Sequence, residues 1–193
     1  MSNPEDQERL IRSLQRRDEA AFARMVREYQ DRVFALVFRM LGDRAEAEDV
    51  SQEVFVTVFK AIDSFRGESQ FSTWLFRIAA NHCRNRLRYL SRRNYHRGQS
   101  LDDMHEGEYP MQLSEQVPQP DRILEGTRLE KTIQDALNAL DEDQRLIVVL
   151  RDIEHLSYGE IAQILDVAEG TVKSRLFRAR LALRELISRG YPL

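Results

Sequence analysis

The sequence predicts an all-α fold of two small helical domains joined by a flexible acidic linker, and three observations lead there. Glycine and proline are scarce, 8 and 5 among 193 residues, while the strong helix formers Leu, Arg, Glu and Ala are abundant. Apolar residues recur at helical spacing in two blocks. Between them the periodicity disappears: Pro110, Pro118 and Pro120 punctuate a stretch whose Asp102, Asp103, Glu106, Glu108 and Glu115 are balanced by no Lys or Arg. An unstructured run of that length is rare inside one compact domain and reads as a linker. The predicted limits are 1–97, 98–121 and 122–193. The chain is long enough for one large or two small cores, and 42% hydrophobic with 32% charged residues is ordinary for helical proteins.

The polar opening, MSNPEDQERL, contributes little to this reading. From Asp18 the apolar set Phe22, Met25, Val26, Tyr29, Val33, Leu36, Val37 and Met40 marks a long helix. Leu41-Gly42-Asp43 breaks it, and Asp43 is placed to cap the next helix, about Ala45–Ala61. Glycine and serine cluster in 63–69, a loop, and the following helix runs from near Gln70 through Leu87 or beyond. Past the linker, helices are expected over Ile123–Leu140 and Glu142–Ile153. Ser157–Arg184 then reads as a short helix, a tight turn and a second helix, opened by the capping box Ser157-Tyr158-Gly159-Glu160.

Charge is segregated. The net value of −3 hides a basic block of Arg84, Arg86, Arg88, Arg92, Arg93 and Arg97, and a second one of Lys173, Arg175, Arg178, Arg180 and Arg184. Acids gather instead in 43–53 and 102–121. Such a division suggests two cationic faces for nucleic acid and an acidic surface for another partner. Other classes are disfavoured. Cys83 is the single cysteine, which excludes an internal disulfide and fits a reducing compartment. There is no apolar signal core and no run near the ~20 apolar residues of a membrane span, so the expected location is the cytoplasm, with no membrane insertion. The histidines at 82, 96, 105 and 155 lack ligand spacing. Glu46, Asp49 and Glu53 share helical spacing without His or Cys, which suits a solvated face better than a metal. No nucleophile motif, phosphate loop or dinucleotide fingerprint occurs, so neither an enzyme nor a cofactor is expected.

Four segments carry candidate function. In the last helix Val172, Leu176, Ala179 and Leu183 make one apolar face, leaving Thr171, Lys173, Ser174, Arg175, Phe177 and Arg178 for a DNA major groove. In FSTWLFRIAANHCRNRLRYL, the packing stripe Phe71, Trp74, Leu75, Ile78 and Ala79 stands apart from a polar stripe of Arg77, Asn81, Arg84 and Arg88. Arginines grip phosphate and an amide pairs with base edges, although an Arg-rich solvated face would look alike. The preceding loop holds Phe65, Arg66 and Phe71 near glycine and serine, groups that could take an unstacked base, against the plainer reading that both Phe rings are core. Finally Asp49, Gln52 and Glu53 with Val54, Phe55 and Phe59 suggest a protein interface with a polar rim and aromatic anchors.

Taken in order, these parts resemble the bacterial extracytoplasmic-function (ECF, group 4) sigma factors. The resemblance rests on Ala47-Glu48-Asp49-Val50-Ser51-Gln52-Glu53-Val54-Phe55, Asp63-Ser64-Phe65-Arg66-Gly67 and Phe71 through Asn81. It continues in Leu156 through Ala162 and in Gly170-Thr171-Val172-Lys173-Ser174-Arg175-Leu176. It implies sigma domains two and four with no domain three between them, in a dissociable RNA polymerase subunit serving a stress- or signal-responsive regulon. It further implies that Asp49, Gln52, Glu53 and Phe55 dock on the clamp helices of the largest polymerase subunit, with domain four meeting the flap of the second largest. Phe65, Arg66, Gly67, Trp74, Arg77, Asn81, Arg84 and Arg88 would take the −10 promoter element as a single strand, and the last-helix set would read the −35 element. The linker would thread toward the RNA exit path, and an anti-sigma factor is an expected partner. Two positions depart from the common pattern: Asp141 stands where a turn proline is frequent, and Asp166 where the helix-turn-helix glycine is. A dimeric helix-turn-helix regulator and a helical adaptor that never touches DNA are the competing readings.

Overall fold

Two aspartates start the main helices of the first unit. Asp18 accepts a hydrogen bond from the Ala21 amide (3.0 Å) to open α2 (Glu19–Leu41), and Asp43 accepts from Glu46 (2.8 Å) to open α3 (Arg44–Ala61). Gly42 lies between them at φ +73°, its amide closing α2 on the Phe38 carbonyl. A 3₁₀ turn, Ile62–Ser64, leads through the loop to α4 (Phe71–Gly98). The computed structural model describes the backbone of residues 4–98 and 120–190, and the side chains of 5–93 and 129–189. Residues 99–119, the bulk of the expected linker, lie outside the described residues.

Helices α2, α3 and α4 bury Met25, Leu36, Met40, Val50, Val54, Val58, Phe71, Leu75 and Phe76 in one core. An unanticipated helix, α1 (Pro4–Gln15), lies against α2 and the 3₁₀ turn. It sits in the polar opening; Leu10 and Leu14, one turn apart, enter the core and Ile11 packs against it half-buried.

The second unit comprises α5 (Pro120–Ala139), α6 (Glu142–Val148), α7 (Tyr158–Leu165) and α8 (Glu169–Gly190). Helix α4 thus runs one residue past the expected limit of 97, and α5 starts before 122, so Gly98, Pro120 and Asp121 are helical. Proline suits a first helical position, where its missing amide would have no partner. The single helix expected over Glu142–Ile153 is instead α6 followed by a π-helical turn, Val149–Ile153. There the Glu154 amide reaches back five residues to Val149 (3.0 Å) and Leu156 reaches Leu150 (3.0 Å). Asp141 serves where a turn proline was noted as frequent, accepting from the Gln144 amide at 2.8 Å.

The two units meet. Helix α2 touches α5, α6 and the π turn, and α4 lies against α7. Arg145, 8% exposed, reaches from α6 to the Met40 carbonyl at the end of α2 while also donating to the carbonyls of Asn138 (2.7 Å) and Leu140 (3.3 Å). Burial pulls its pKa below the usual arginine value. Glu154, also 8% exposed, receives Arg32 of α2 at 3.0 Å; burial raises its carboxyl pKa and Arg32 opposes the rise. At Gly42 a Cβ would lie 2.6 Å from the Asn138 amide, so a bare Cα permits the approach of α5.

Candidate nucleic-acid interfaces

The helix-turn-helix forms as its residues dictate. Ser157 and Glu160 make both reciprocal bonds of the capping box, Glu160 amide to Ser157 Oγ (3.2 Å) and Ser157 amide to Glu160 Oε2 (2.8 Å). In the turn Asp166 adopts the left-handed conformation (φ 55°, ψ 52°), the geometry for which glycine is usual. Val172, Leu176 and Ala179 of α8 are buried and Leu183 is half-buried. The opposite face is open: Lys173, Ser174, Phe177 and Arg178 are exposed, Phe177 at 66%, with Thr171 and Arg175 half-buried beside them. Few side-chain bonds constrain that face. Ser174 donates to the Thr171 carbonyl (3.0 Å) and Arg178 to that of Ser174 (3.4 Å), both within the helix. Lys173 Nζ stands 5.7 Å above the Tyr158 ring, whose surroundings also hold the Arg151 guanidinium at 4.9 Å. Arg175 lies 3.9 Å from Asp143.

On the first unit the predicted set divides into three. Arg66, Gly67, Asn81 and Arg88 are exposed, and the side chains of Arg66, Asn81 and Arg88 have no polar partner among the described residues. Gly67 sits at φ +76° with open space where a Cβ would project. Phe65 is different: at 7% exposure its ring packs edge-on against Phe71 (centroids 5.7 Å) and tilted on Trp74 (5.4 Å). The plainer reading of that ring, as core, is the one observed, and it supports the loop instead of presenting a stacking surface. Trp74 is half-buried in the same cluster. Arg77 and Arg84 are on the polar face of α4 as expected but already engaged. Arg77 donates to the Gln163 carbonyl (2.5 Å), and Arg84 to Asp143 (2.9 Å) with Glu142 at 3.4 Å, all on the second unit.

The acidic face of α3 keeps Asp49, Gln52 and Glu53 exposed and Phe55 half-buried. Glu53 is tied inward, accepting from Arg86 at 2.7 Å with His82 Nδ1 at 3.4 Å, while Glu46 takes the other Arg86 nitrogen. Val56, 51% exposed, belongs to this face and escaped the sequence reading. Its signal was available, because Asp49, Gln52, Glu53, Val56 and Phe59 follow helical spacing. Among the described residues there is no group of three His, Cys, Asp or Glu placed to hold a metal, and no helix long and apolar enough to cross a membrane.

Similarity to known proteins agrees with this arrangement. Residues 25–93 match Sigma-70 region 2 and residues 130–183 match Sigma-70 region 4. The chain is 36% identical to the RNA polymerase sigma-H factor of Pseudomonas aeruginosa, over 95% of this chain and 94% of that one. It is 38% identical to the ECF RNA polymerase sigma-E factor of Haemophilus influenzae, over 89% of each. Among solved structures, the sigma factor RpoE of Bartonella quintana, in complex with the anti-sigma factor NepR, aligns with a TM-score of 0.64 at 27% identity, covering 86% of this chain and 96% of that one. CnrH, in complex with the cytosolic domain of CnrY, shares the fold (TM-score 0.68, 24% identity, 95% and 97% covered). A basic helix-turn-helix, a second basic helix on its own unit and near end-to-end likeness to sigma factors lead to one conclusion. This chain belongs to the ECF-type sigma factors, the RNA polymerase subunits that direct the core enzyme to promoters.

Proposed function

We propose that the chain is a group 4 factor whose two units divide promoter recognition, domain two spanning 1–97 and domain four 122–193, with 98–121 threading toward the RNA exit path. The observation that carries this reading is the division of α8 into a buried apolar face and an open cationic one. Thr171, Lys173, Ser174, Arg175, Phe177 and Arg178 enter the major groove of the −35 element. Side chains at this position supply base-edge bonds from Lys and Arg and apolar contact from Phe177. Arg66, Gly67, Asn81 and Arg88 receive the −10 strand, joined by Arg77 and Arg84 when these are released, with Phe65 and Trp74 holding the loop from beneath.

Asp49, Gln52, Glu53 and Phe55, with Val56 beside them, dock on the clamp helices of the largest polymerase subunit, while domain four meets the flap of the second largest. The role is binding without catalysis, carried out in the bacterial cytoplasm. An anti-sigma factor is the expected inhibitor, supported by the anti-sigma partner named for RpoE. Run-off transcription with core enzyme lacking its own specificity subunit is the test. Start-site selection is expected on some genomic templates; its absence across a broad template set would refute the reading.

A further inference from the structure

Helix α1 ends in the left-handed exit most often given to glycine, yet the residue that turns the chain is Arg17. Its amide bonds the Leu14 carbonyl (3.0 Å) and the Asp18 amide bonds that of Ser13 (3.1 Å), with Arg17 at φ +62°. A Cβ in that conformation crowds its own backbone, so the position costs free energy for any residue but glycine. Asp166, left-handed in the helix-turn-helix, has a short polar side chain of the kind that eases this geometry by local bonding. Arginine has no such local relief. Its bonds run far along the sequence instead.

The Arg17 guanidinium crosses from the α1–α2 corner to the end of α3. One nitrogen donates to the Phe59 carbonyl, another to the Asp63 carboxylate in the 3₁₀ turn, and the group stands 4.9 Å from the Phe59 ring centroid. Phe59 lies in the last turn of α3, where carbonyls lack helical donors and a cation is favoured. Phe22 of α2 holds the same ring edge-on at 4.9 Å. From the same corner Gln15 donates to the Phe65 carbonyl at 3.4 Å. Phe59, Asp63 and Phe65 form the stem of the loop, and Gln15 and Arg17 between them grip all three. Arg66 and Gly67 follow at once, exposed.

Stability alone does not account for so strained an anchor. The side chains of Arg17 and Asp63 are 39% and 61% exposed, and ion pairs open to water add little to folding. What the bridge fixes is geometry. We propose that Arg17, seconded by Gln15, is a positioning residue for capture of the −10 strand: by bridging the Phe59 carbonyl and the Asp63 carboxylate it sets the stem from which Arg66 and Gly67 meet an unstacked base. A loop ordered in advance loses less entropy when its target arrives. This role rests on the proposed reading of that loop as part of the single-strand DNA site.

The test uses the full-length chain assembled with core polymerase, on a promoter that the holoenzyme selects in run-off and that carries 2-aminopurine at a −10 base. Arg17→Gly suits the left-handed backbone, so the melting temperature is expected to stay within about 2 °C. The loop is expected to loosen: in hydrogen exchange the Phe65 amide, bonded to the Ile62 carbonyl at 3.1 Å, exchanges faster. Unstacking of the −10 base slows about fivefold, the scale of one exposed ion pair, while closed-complex binding holds within about twofold. Asp63→Asn, at the other end of the bridge, slows unstacking likewise and adds nothing on top of Arg17→Gly. Arg17→Lys keeps the charge without the fork and falls between.

Full-rate unstacking or an unchanged Phe65 amide in Arg17→Gly overturns the proposal, and so does equal damage to closed-complex binding. If Arg17→Gly melts low, Asp63→Asn decides the matter, and full-rate unstacking there overturns the proposal equally. Failure of the underlying site reading has a separate signature. Arg66→Ala, which removes a side chain without a polar partner among the described residues, would then leave unstacking at full rate.

Discussion

Helices α4 and α8 each carry a row of arginines opposite an apolar stripe, and by composition they look interchangeable. The fold treats them differently. The outward face of α8 meets solvent, with bonds within its own helix, one ring contact and the 3.9 Å approach of Arg175 to Asp143, while Arg180 to one side pairs with Asp152. The corresponding face of α4 has Arg77 and Arg84 occupied by domain four, leaving Asn81 and Arg88 of that helix and Arg66 of the loop before it open. A cationic helix is therefore an offer whose taker is decided by what the rest of the chain packs against it. Under the proposed division of promoter recognition, the −35 reader is the open face and the −10 reader the engaged one.

The comparison is broken most severely on the open side. Lys173→Ala with Arg178→Ala is expected to reduce promoter-specific run-off by about thirtyfold or more, since two well-placed base contacts at about 1–3 kcal/mol each sum to about 2–6 kcal/mol. An adaptor that never touches DNA would show no change. Next, Arg145→Met leaves the Met40, Asn138 and Leu140 carbonyls without their donor in a buried place. We expect a loss of about 3 kcal/mol in chemical denaturation, because a buried polar group left without its partner costs about 1–3 kcal/mol and three carbonyls share this donor.

Asn81→Ala sharpens the contrast between the faces: promoter opening, followed by permanganate reactivity of the −10 thymines, is expected to drop about tenfold (1.4 kcal/mol). Closed-complex binding should hold within about twofold. Equal damage to both steps would remove Asn81 from strand capture. Ser157→Ala removes one half of the capping box and should cost about 1 kcal/mol of stability by thermal melting. The smallest effect is expected from Asp166→Gly. It relieves a left-handed residue and should leave stability unchanged or raise it by up to about 1 kcal/mol, with −35 recognition preserved.

Local signals in the sequence carried far. Asp18, Asp43 and Ser157 each cap the helix that follows them, and the apolar stripe of α8 is buried where its spacing placed it. What escaped depended on distant parts of the chain. Helix α1 offers only Leu10, Ile11 and Leu14, too short a stripe to register before α2 and the 3₁₀ turn are there to receive it. The π turn after α6 coincides with the burial of Glu154 against Arg32, 122 positions away, and no local rule encodes that pairing. The same holds at the basic faces. Exposure of Arg66 and Asn81 followed from loop and helix spacing, whereas Phe65 had two readings and only the neighbouring rings of Phe71 and Trp74 chose between them. The engagement of Arg77 and Arg84 is invisible in sequence, since it is a property of two units in contact.

Tyr158 sits beneath two cations, the Arg151 guanidinium at 4.9 Å and the Lys173 ammonium at 5.7 Å. A lysine parked over a ring has surrendered part of its rotamer freedom before any target arrives, and rotamer loss in a long side chain costs up to about 2 kcal/mol. The parking site is shallow, about 0.5–1 kcal/mol for an exposed pair. An anionic partner that meets this face has only that shallow contact to displace, while a neutral surface offers the ammonium nothing in exchange.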